Sequence, residues 1–247
     1  LYLEVKNLSV YYDTAVVLND VSLYVNKGEF AAMVGPNGAG KSTCLKAMAG
    51  LIQWQIDTLK GTRLGKITLK GSVKFNGEEL ISLPAHEIAK RGLILCPERG
   101  KPFREMTVIE NLKAGAVLNQ KNMRENIEKC FRLFPILEKR KDQVSGTLSG
   151  GEITMLAIAR SLMADLKLLL IDEPSVGLAP KVKADLFDRI KSVNEMGITI
   201  LLVEQDVSFA FDLSERNYVI SRGKLVAEGT SKELMADELM RKTYLGM

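Results

Sequence analysis

Nine residues, "GPNGAGKST" from Gly35 to Thr43, put three glycines, a lysine and two hydroxyls between an apolar run, "FAAMV", and a helix-like segment, "TCLKAMAGL". Glycines allow a backbone to curl until successive N–H groups and the positive end of a helix face a phosphate chain. The spacing Gly35-x-x-x-x-Gly40-Lys41-Ser42 fits the P-loop pattern, in the strand-before, helix-after context the pattern requires. Lys41 is then placed to reach β- and γ-phosphates, Ser42 to ligate Mg²⁺ and Thr43 to bond an inner phosphate, with Pro36, Asn37, Gly38 and Ala39 completing the cradle. A plain glycine-rich turn is the alternative.

A metal held this way needs a second protein contact, and "LLLIDE" offers one. Asp172 ends an apolar run where a Mg²⁺-bound water would lie, and Glu173 follows at the place for a base acting on the attacking water. Acidic residues often follow strands, so the pair gains its meaning from the P-loop. "LSGGE", Leu148 to Glu152, reads locally as a capping box, Ser149-x-x-Glu152. Two glycines inside that box, Gly150 and Gly151, are costly for a simple cap but leave N–H groups open to a phosphate. Since one P-loop already serves the chain's own nucleotide, a second anion site is best explained by the nucleotide of another copy.

These residues need elements to hold them. "FAAMV", "LILC", "LLLI" and "ITILLV" are near-continuous apolar runs that each end at polar residues: Gly35, Pro97-Glu98, Asp172-Glu173 and Glu204-Gln205. Such runs suit strands covered on both faces in a parallel sheet, where ligands bind at the carboxyl ends. Ile127, Cys130, Phe131 and Phe134 fall at helical spacing, as do Met155, Ile158, Ala159 and Leu162, and both segments are expected to be amphipathic helices. The stretch from about Thr107 to Ala164 has no convincing strand, which predicts a helical insertion. Alternation in "VSLYV" and "SVKFNG", with the turn-forming Asn76-Gly77, predicts an antiparallel layer, and "YVISRGKLVAEG" a further hairpin.

The 247 residues carry 46% hydrophobic and 26% charged side chains, ordinary for a folded chain, and a net charge of +4 too slight to argue for nucleic acid. No window approaches the ~18 apolar residues of a membrane span, and the first residues lack signal-peptide character, so the chain is expected in the cytosol. Cys44, Cys96 and Cys130 lack metal-site spacing and are expected as packed, reduced thiols.

In order, "GPNGAGKST", "LSGGE" and "LLLIDEPSVGLAP" resemble the nucleotide-binding subunit of an ATP-binding cassette (ABC) transporter over essentially the whole chain. "CPERGKPFREMTVIENL", "TLSGGEITMLAIARSLM", "LLVEQD" and the terminal "KTYLGM" resemble the ATPases of high-affinity branched-chain amino-acid uptake. The resemblance implies an α/β, RecA-like P-loop NTPase core with a mostly parallel sheet (residues 1–97 and 166–247), an antiparallel β layer, and an inserted α-helical subdomain (98–165), all in one domain. It implies ATP and Mg²⁺ as ligands, with Lys41 and Glu173 catalytic and Ser42, Glu98 and Asp172 toward the metal. Tyr12 would stack on adenine with Val17 beside the ribose, although Tyr11, or simple strand packing of Tyr12, competes with that reading. A head-to-tail dimer, homomeric or heteromeric, would set Ser149, Gly150 and Gly151 against the γ-phosphate on the partner's Lys41. Membrane permease subunits, and through them a substrate-binding protein, are the implied partners, at the cytoplasmic face of the membrane. "TVIENL" and the helical region after it would meet a coupling helix of the permease. A soluble scaffold ATPase that remodels a cytosolic assembly is the alternative.

The chain departs from the family pattern at several places. Glu98 stands where a glutamine is usual, and can still approach Mg²⁺. Gln205 replaces the switch histidine; its amide can donate to a phosphate oxygen but cannot titrate near neutrality, leaving the base role to Glu173. The sole histidine, His86, reads as a surface helix start. Ala179 replaces an aspartate that makes a cross-dimer link. An insertion, "WQIDTLKGTRLGKITLK" (Trp54 to Lys70), carries four basic residues, Lys60, Arg63, Lys66 and Lys70, against Asp57. It reads as an enlarged surface hairpin, with contact to a partner or to anionic headgroups as the alternative.

Overall fold

The computed structural model describes residues 1–60 and 65–238. They gather into two compact units, residues 1–89 with 199 onward, and residues 90–198. The first unit opens with β1 (Leu3–Tyr12) and β2 (Ala15–Val25), an antiparallel hairpin pairing Leu3 with Val25 and Tyr12 with Ala15. Its apolar alternation buries Leu3, Val5, Leu8 and Val10 on one strand and Leu18, Val21, Leu23 and Val25 on the other. β3 (Phe30–Val34) is buried at every residue, as expected for a strand covered on both faces. Then come α1 (Lys41–Met48), α2 (Leu51–Leu59), β4 (Ile67–Phe75), β5 (Glu78–Glu79) and α3 (Ala85–Lys90). The β4–β5 turn is Asn76-Gly77, both residues left-handed as the sequence required. β1 and β4 run antiparallel, giving the layer β2-β1-β4-β5.

The second unit comprises β6 (Leu93–Cys96), α4 (Val108–Gly115), α5 (Met123–Leu133), α6 (Pro135–Lys139), α7 (Gly150–Leu162), β7 (Leu168–Asp172) and α8 (Pro180–Glu195). β6 and β7 are parallel, with Leu93 opposite Leu168 and Cys96 opposite Ile171. The chain then returns to the first unit with β8 (Thr199–Glu204), α9 (Val207–Leu213), β9 (Arg216–Ser221), β10 (Lys224–Gly229) and α10 (Ser231–Ala236). There β3 lies between β8 and β9, parallel to both, and β10 closes the edge as the antiparallel hairpin read from "SRG". Parallel strands, an antiparallel layer and a helical segment therefore match the fold expected from sequence.

Two local expectations need correction. α7 is not amphipathic, because Thr154 to Ala159 are buried in an unbroken run, so packing surrounds the helix where the sequence spacing marked only one face. Trp54 to Leu59 is helical, not part of a hairpin: Ile52, Ile56 and Leu59 recur at i, i+4, i+7, burying Ile52 fully and half-burying the other two. Arg63 of the insertion and the terminal "KTYLGM" lie outside the described residues. The three cysteines are buried free thiols, and burial pushes each up to about 12. His86 sits at the exposed start of α3, 3.4 Å from Glu87. Among the described residues no helix is long and apolar enough to cross a membrane.

A buried phenol is one of the links between the two layers of the first unit, beside the Asn19 N–H to Gly223 carbonyl bond at 2.8 Å. Tyr218 on β9 donates to the Tyr24 carbonyl at 2.6 Å and accepts from the Tyr24 N–H at 3.1 Å, satisfying both outward backbone groups of an edge strand. Tyr218→Phe strands both groups at once. We expect a loss of ~1–3 kcal/mol, or a melting temperature lower by several degrees at this chain length. An unchanged thermal melt contradicts this role.

Candidate active site

Gly40 governs the shape of the P-loop. It takes φ 104°, and a β-carbon there would lie 2.6 Å from Leu18 Cδ2 and 2.9 Å from the Val17 carbonyl oxygen. Only glycine tolerates both the angle and the approach. α1 therefore begins without a side-chain cap, so its first N–H groups face the loop and not a serine or aspartate. Lys41 is 3% exposed, and its Nζ donates to the carbonyls of Gly35 at 2.8 Å and Pro36 at 3.1 Å, bending the loop over the helix start. Pro36, Asn37 and Gly38 are exposed, Gly35 and Ala39 buried, and Ser42 and Thr43 half-buried at the mouth. This cradle suits an anion in charge and donor geometry.

The same unit brings two further expected residues to the cradle. β3 and β8 pair with Val34 opposite Glu204, so Gly35 and Gln205 leave adjacent strands at their carboxyl ends. Glu204 is buried and turns back to accept from the Gln205 N–H at 3.1 Å, while Gln205 itself is exposed. Val17 touches Gly40 through its backbone. Tyr12, near the hairpin tip, donates its hydroxyl to Gln55 Oε1 at 3.2 Å, and burial raises its phenol above the ordinary value. Tyr11 turns to Lys70, whose Nζ lies 5.8 Å from its ring centre.

The second unit gathers the acidic residues by the same logic. Cys96 faces Ile171 across β6 and β7, so Glu98 and the Asp172-Glu173 pair emerge from neighbouring parallel strand ends. Asp172 is buried at 3% exposure, and its charge adds to the burial that raises Cys96. Glu173 takes φ 42°, a conformation uncommon outside glycine and found at constrained functional positions. Glu98 is partly exposed and lies 3.4 Å from Arg99 Nε. Asp172 presents a hard carboxylate oxygen of the kind Mg²⁺ takes, at the end of its strand.

The capping box expected at "LSGGE" is present. Ser149 Oγ accepts from the Glu152 N–H at 3.4 Å, and Glu152 Oε2 accepts from the Ser149 N–H and hydroxyl at 2.9 Å each. Arg140 Nε stands 2.9 Å from Glu152 Oε1 as an ion pair whose alignment falls short of a hydrogen bond, so the box has an outer brace. Ser149 and Gly150 are exposed. Gly151 is packed, for a β-carbon there would meet Val182 Cγ1 of α8 at 2.5 Å. A cleft of about 640 Å³ has Gly150 and Glu173 on its walls together with Arg99, Lys101 and Arg104. Ala179 caps α8 with no side-chain bond, as its lack of a polar atom dictates.

One residue that sequence reasoning missed holds the loop after β6. Arg99, Gly100 and Lys101 are left-handed in succession, at φ 57°, 63° and 40°. Arg160 of α7 secures them: its guanidinium donates to the Gly100 carbonyl at 3.0 Å and the Lys101 carbonyl at 3.2 Å, and lies 5.4 Å from the Phe103 ring centre. A β-carbon on Gly100 would stand 2.6 Å from Ala157 Cβ, so the loop lies flat on α7. Asn111 of α4 closes the far end, accepting from the Phe103 N–H and donating to its carbonyl. The only signal in the sequence was a charge inside the apolar run "MLAIARSLM". Arg160→Ala should release the left-handed triplet, speeding amide exchange across residues 99–103 and lowering ATP turnover about tenfold or more, the scale of a misplaced catalytic group. Exchange as slow as in the parent chain contradicts this clamp.

Comparison with known proteins agrees with this geometry. The ABC transporter family model matches residues 18–176. The chain is 39% identical over 245 residues to the high-affinity branched-chain amino acid transport ATP-binding protein BraG of Pseudomonas aeruginosa, covering 99% of each. It is 36% identical to the probable branched-chain amino acid transport ATP-binding protein LivF of Archaeoglobus fulgidus, again over 99% of each. It is 34% identical to the lipopolysaccharide export system ATP-binding protein LptB of Haemophilus influenzae, over 99% of this chain and 97% of the relative. A solved nucleotide-free ATP-binding cassette from an ABC transporter superposes with a TM-score of 0.79 at 27% identity, over 97% of this chain and 96% of that one. A glycine cradle opening a helix, acidic strand ends and full-length likeness to such cassettes converge: the chain belongs to the ABC transporter family, as an ATPase subunit whose ATP hydrolysis is coupled to transport.

Proposed function

We propose that this chain hydrolyses MgATP between two ATPase subunits and powers uptake of branched-chain or related amino acids through separate permease subunits. ATPases of the family bind nucleotide, dimerise and work with membrane components. What supports the shared site most is the pair of helix starts: α1 opened by Gly40 with no side-chain cap, beneath a loop held by Lys41, and α7 exposed at Ser149 and Gly150. In this reading Gly35 to Thr43 hold the triphosphate, Tyr12 and Val17 meet the base and ribose, and Ser149, Gly150 and Gly151 close on the γ-phosphate held by a second subunit. Ser42, Asp172 and Glu98 would hold Mg²⁺, which supplies charge neutralisation of the phosphate oxygens. Glu173 removes the proton of the attacking water, and Gln205 orients that water or donates to the γ-phosphate. Residues 98–165 act as the helical subdomain between the halves of one catalytic domain.

The transport assignment rests on the relatives named for branched-chain amino acid transport, with amino-acid import as the finer reading. A lipid-export reading has its own support in the likeness to LptB. Phe103, Met106, Val117 and Leu118 are exposed apolar side chains beside or just after α4, a surface suited to a permease helix at the cytoplasmic side of the membrane. Co-purification followed by reconstitution separates the readings. Glu173→Gln should bind ATP normally yet lose turnover by ~10²–10⁴-fold, and the parent chain with its co-purified permease should take up radiolabelled leucine, isoleucine or valine only with ATP. Ordinary turnover by the variant overturns the base assignment. A permease that moves lipid, or a soluble complex in its place, overturns the import reading.

A further inference from the structure

A second cavity, of about 420 Å³, opens between the tip of the β1–β2 hairpin and α2. Its walls are the Tyr12 ring, Trp54, Leu59 and Ile67, with the amide of Gln55 and the hydroxyl of Thr58 among the lining groups. Nothing in the catalytic reading uses α2, yet it packs against α1 and β4 in the same unit as the cradle. At its start it follows directly from α1, the helix of the P-loop. Beyond its end, Asp13 at the hairpin tip donates its N–H to the Lys66 carbonyl at 2.7 Å and accepts from the Lys66 N–H at 2.6 Å.

The cavity lies on the cradle side of the hairpin. Val10 and Leu18 pair across the two strands, both fully buried, and Leu18 is the residue that crowds Gly40. Tyr12 reaches toward the same helices, as its bond to Gln55 shows. Tyr12 pairs with Ala15, and Val17, skipped by the register shift between Val10 and Tyr11, lies two residues on, so Tyr12 stands within roughly 7 Å along the strand of the backbone that touches Gly40. That separation is of the order between the phosphates and the base of one nucleotide. Trp54, 59% exposed, is a large ring kept out of the core at this opening.

Flat apolar walls with a few amide, hydroxyl and carboxylate groups match a heteroaromatic ring with a polar edge. We infer that α2 is the second wall of the base subsite: the purine of the bound nucleotide enters between the hairpin tip and α2, with Tyr12 and Trp54 packing on it and Gln55 and Thr58 meeting its polar edge. This rests on the ATP reading of Tyr12 and extends it to the inserted segment.

Trp54 is the sole tryptophan of the chain, so its emission reports on this cavity alone. The full-length protein is titrated with ADP and, as a base-free ligand, with inorganic tripolyphosphate, while equilibrium dialysis gives the affinity of the parent, Trp54→Ala and Tyr12→Ala. We expect ADP, but not tripolyphosphate, to change the emission saturably. Trp54→Ala should weaken ADP about 5- to 100-fold, the scale of one aromatic stacking partner, with tripolyphosphate affinity unchanged. ADP binding with unaltered emission and parental affinity in Trp54→Ala overturns the inference, as does equal weakening of both ligands. If Tyr12→Ala alone weakens ADP, only the role of α2 falls; if neither variant does, the reading of Tyr12 falls too.

Discussion

The missing β-carbon at Gly40 is the constraint from which the rest of the nucleotide-binding unit follows. Because the β1–β2 hairpin rests on that residue, any side chain there would push Leu18 and the Val17 backbone away. Because φ is 104°, α1 starts abruptly, with no preceding side chain able to cap it. The two effects together keep the donors at the helix start turned toward the loop, where an anion gains both hydrogen bonds and the helix field. Lys41 adds to this from the next position, its ammonium tied to carbonyls of the very loop it must serve. On the proposed reading one contact would set both the phosphate end and the base end, since the strand that crowds Gly40 also pairs with the strand carrying Tyr12.

The second unit solves the same problem of orphan helix donors in the opposite way. At α7 the chain caps itself, with Ser149 and Glu152 bonded reciprocally and Arg140 alongside. On the proposed reading a phosphate approaching from another subunit would meet a preorganised tip: the Ser149 hydroxyl is already oriented by Glu152, and the exposed Gly150 lies beside it. Holding that geometry before the ligand arrives removes an ordering cost from the closing step. Arg160, three turns along the same helix, extends the order to the loop after Glu98, so the proposed metal contact and the proposed γ-phosphate contact share one rigid helix.

What could be read from sequence was what short-range chemistry determines. The P-loop, the strands ending in acids, the Asn76-Gly77 turn and the Ser149 box each depend on residues within a few positions of one another, and each is present. The misses are longer-range or ambiguous in period. Trp54 to Leu59 alternates polar and apolar residues much as a strand does, and only the placement of Ile52 and Ile56 one turn apart reveals the helix. The Tyr218–Tyr24 bond and the Arg160 clamp join residues 194 and 60 positions apart in the chain, and no local pattern announces them. The positive φ at Glu173 is likewise invisible in "LLLIDE", where nothing but the surrounding structure holds a glutamate in that conformation.

The proposed base at Glu173 and the proposed γ-phosphate contacts at Ser149, Gly150 and Gly151 come together only if two subunits close on the nucleotide. Sedimentation of the slow-turnover Glu173→Gln chain with and without saturating ATP tests that closure most directly. We expect a doubling of mass that appears with ATP and disappears when the nucleotide is removed. A chain that binds ATP fully and remains a monomer at every concentration would contradict it.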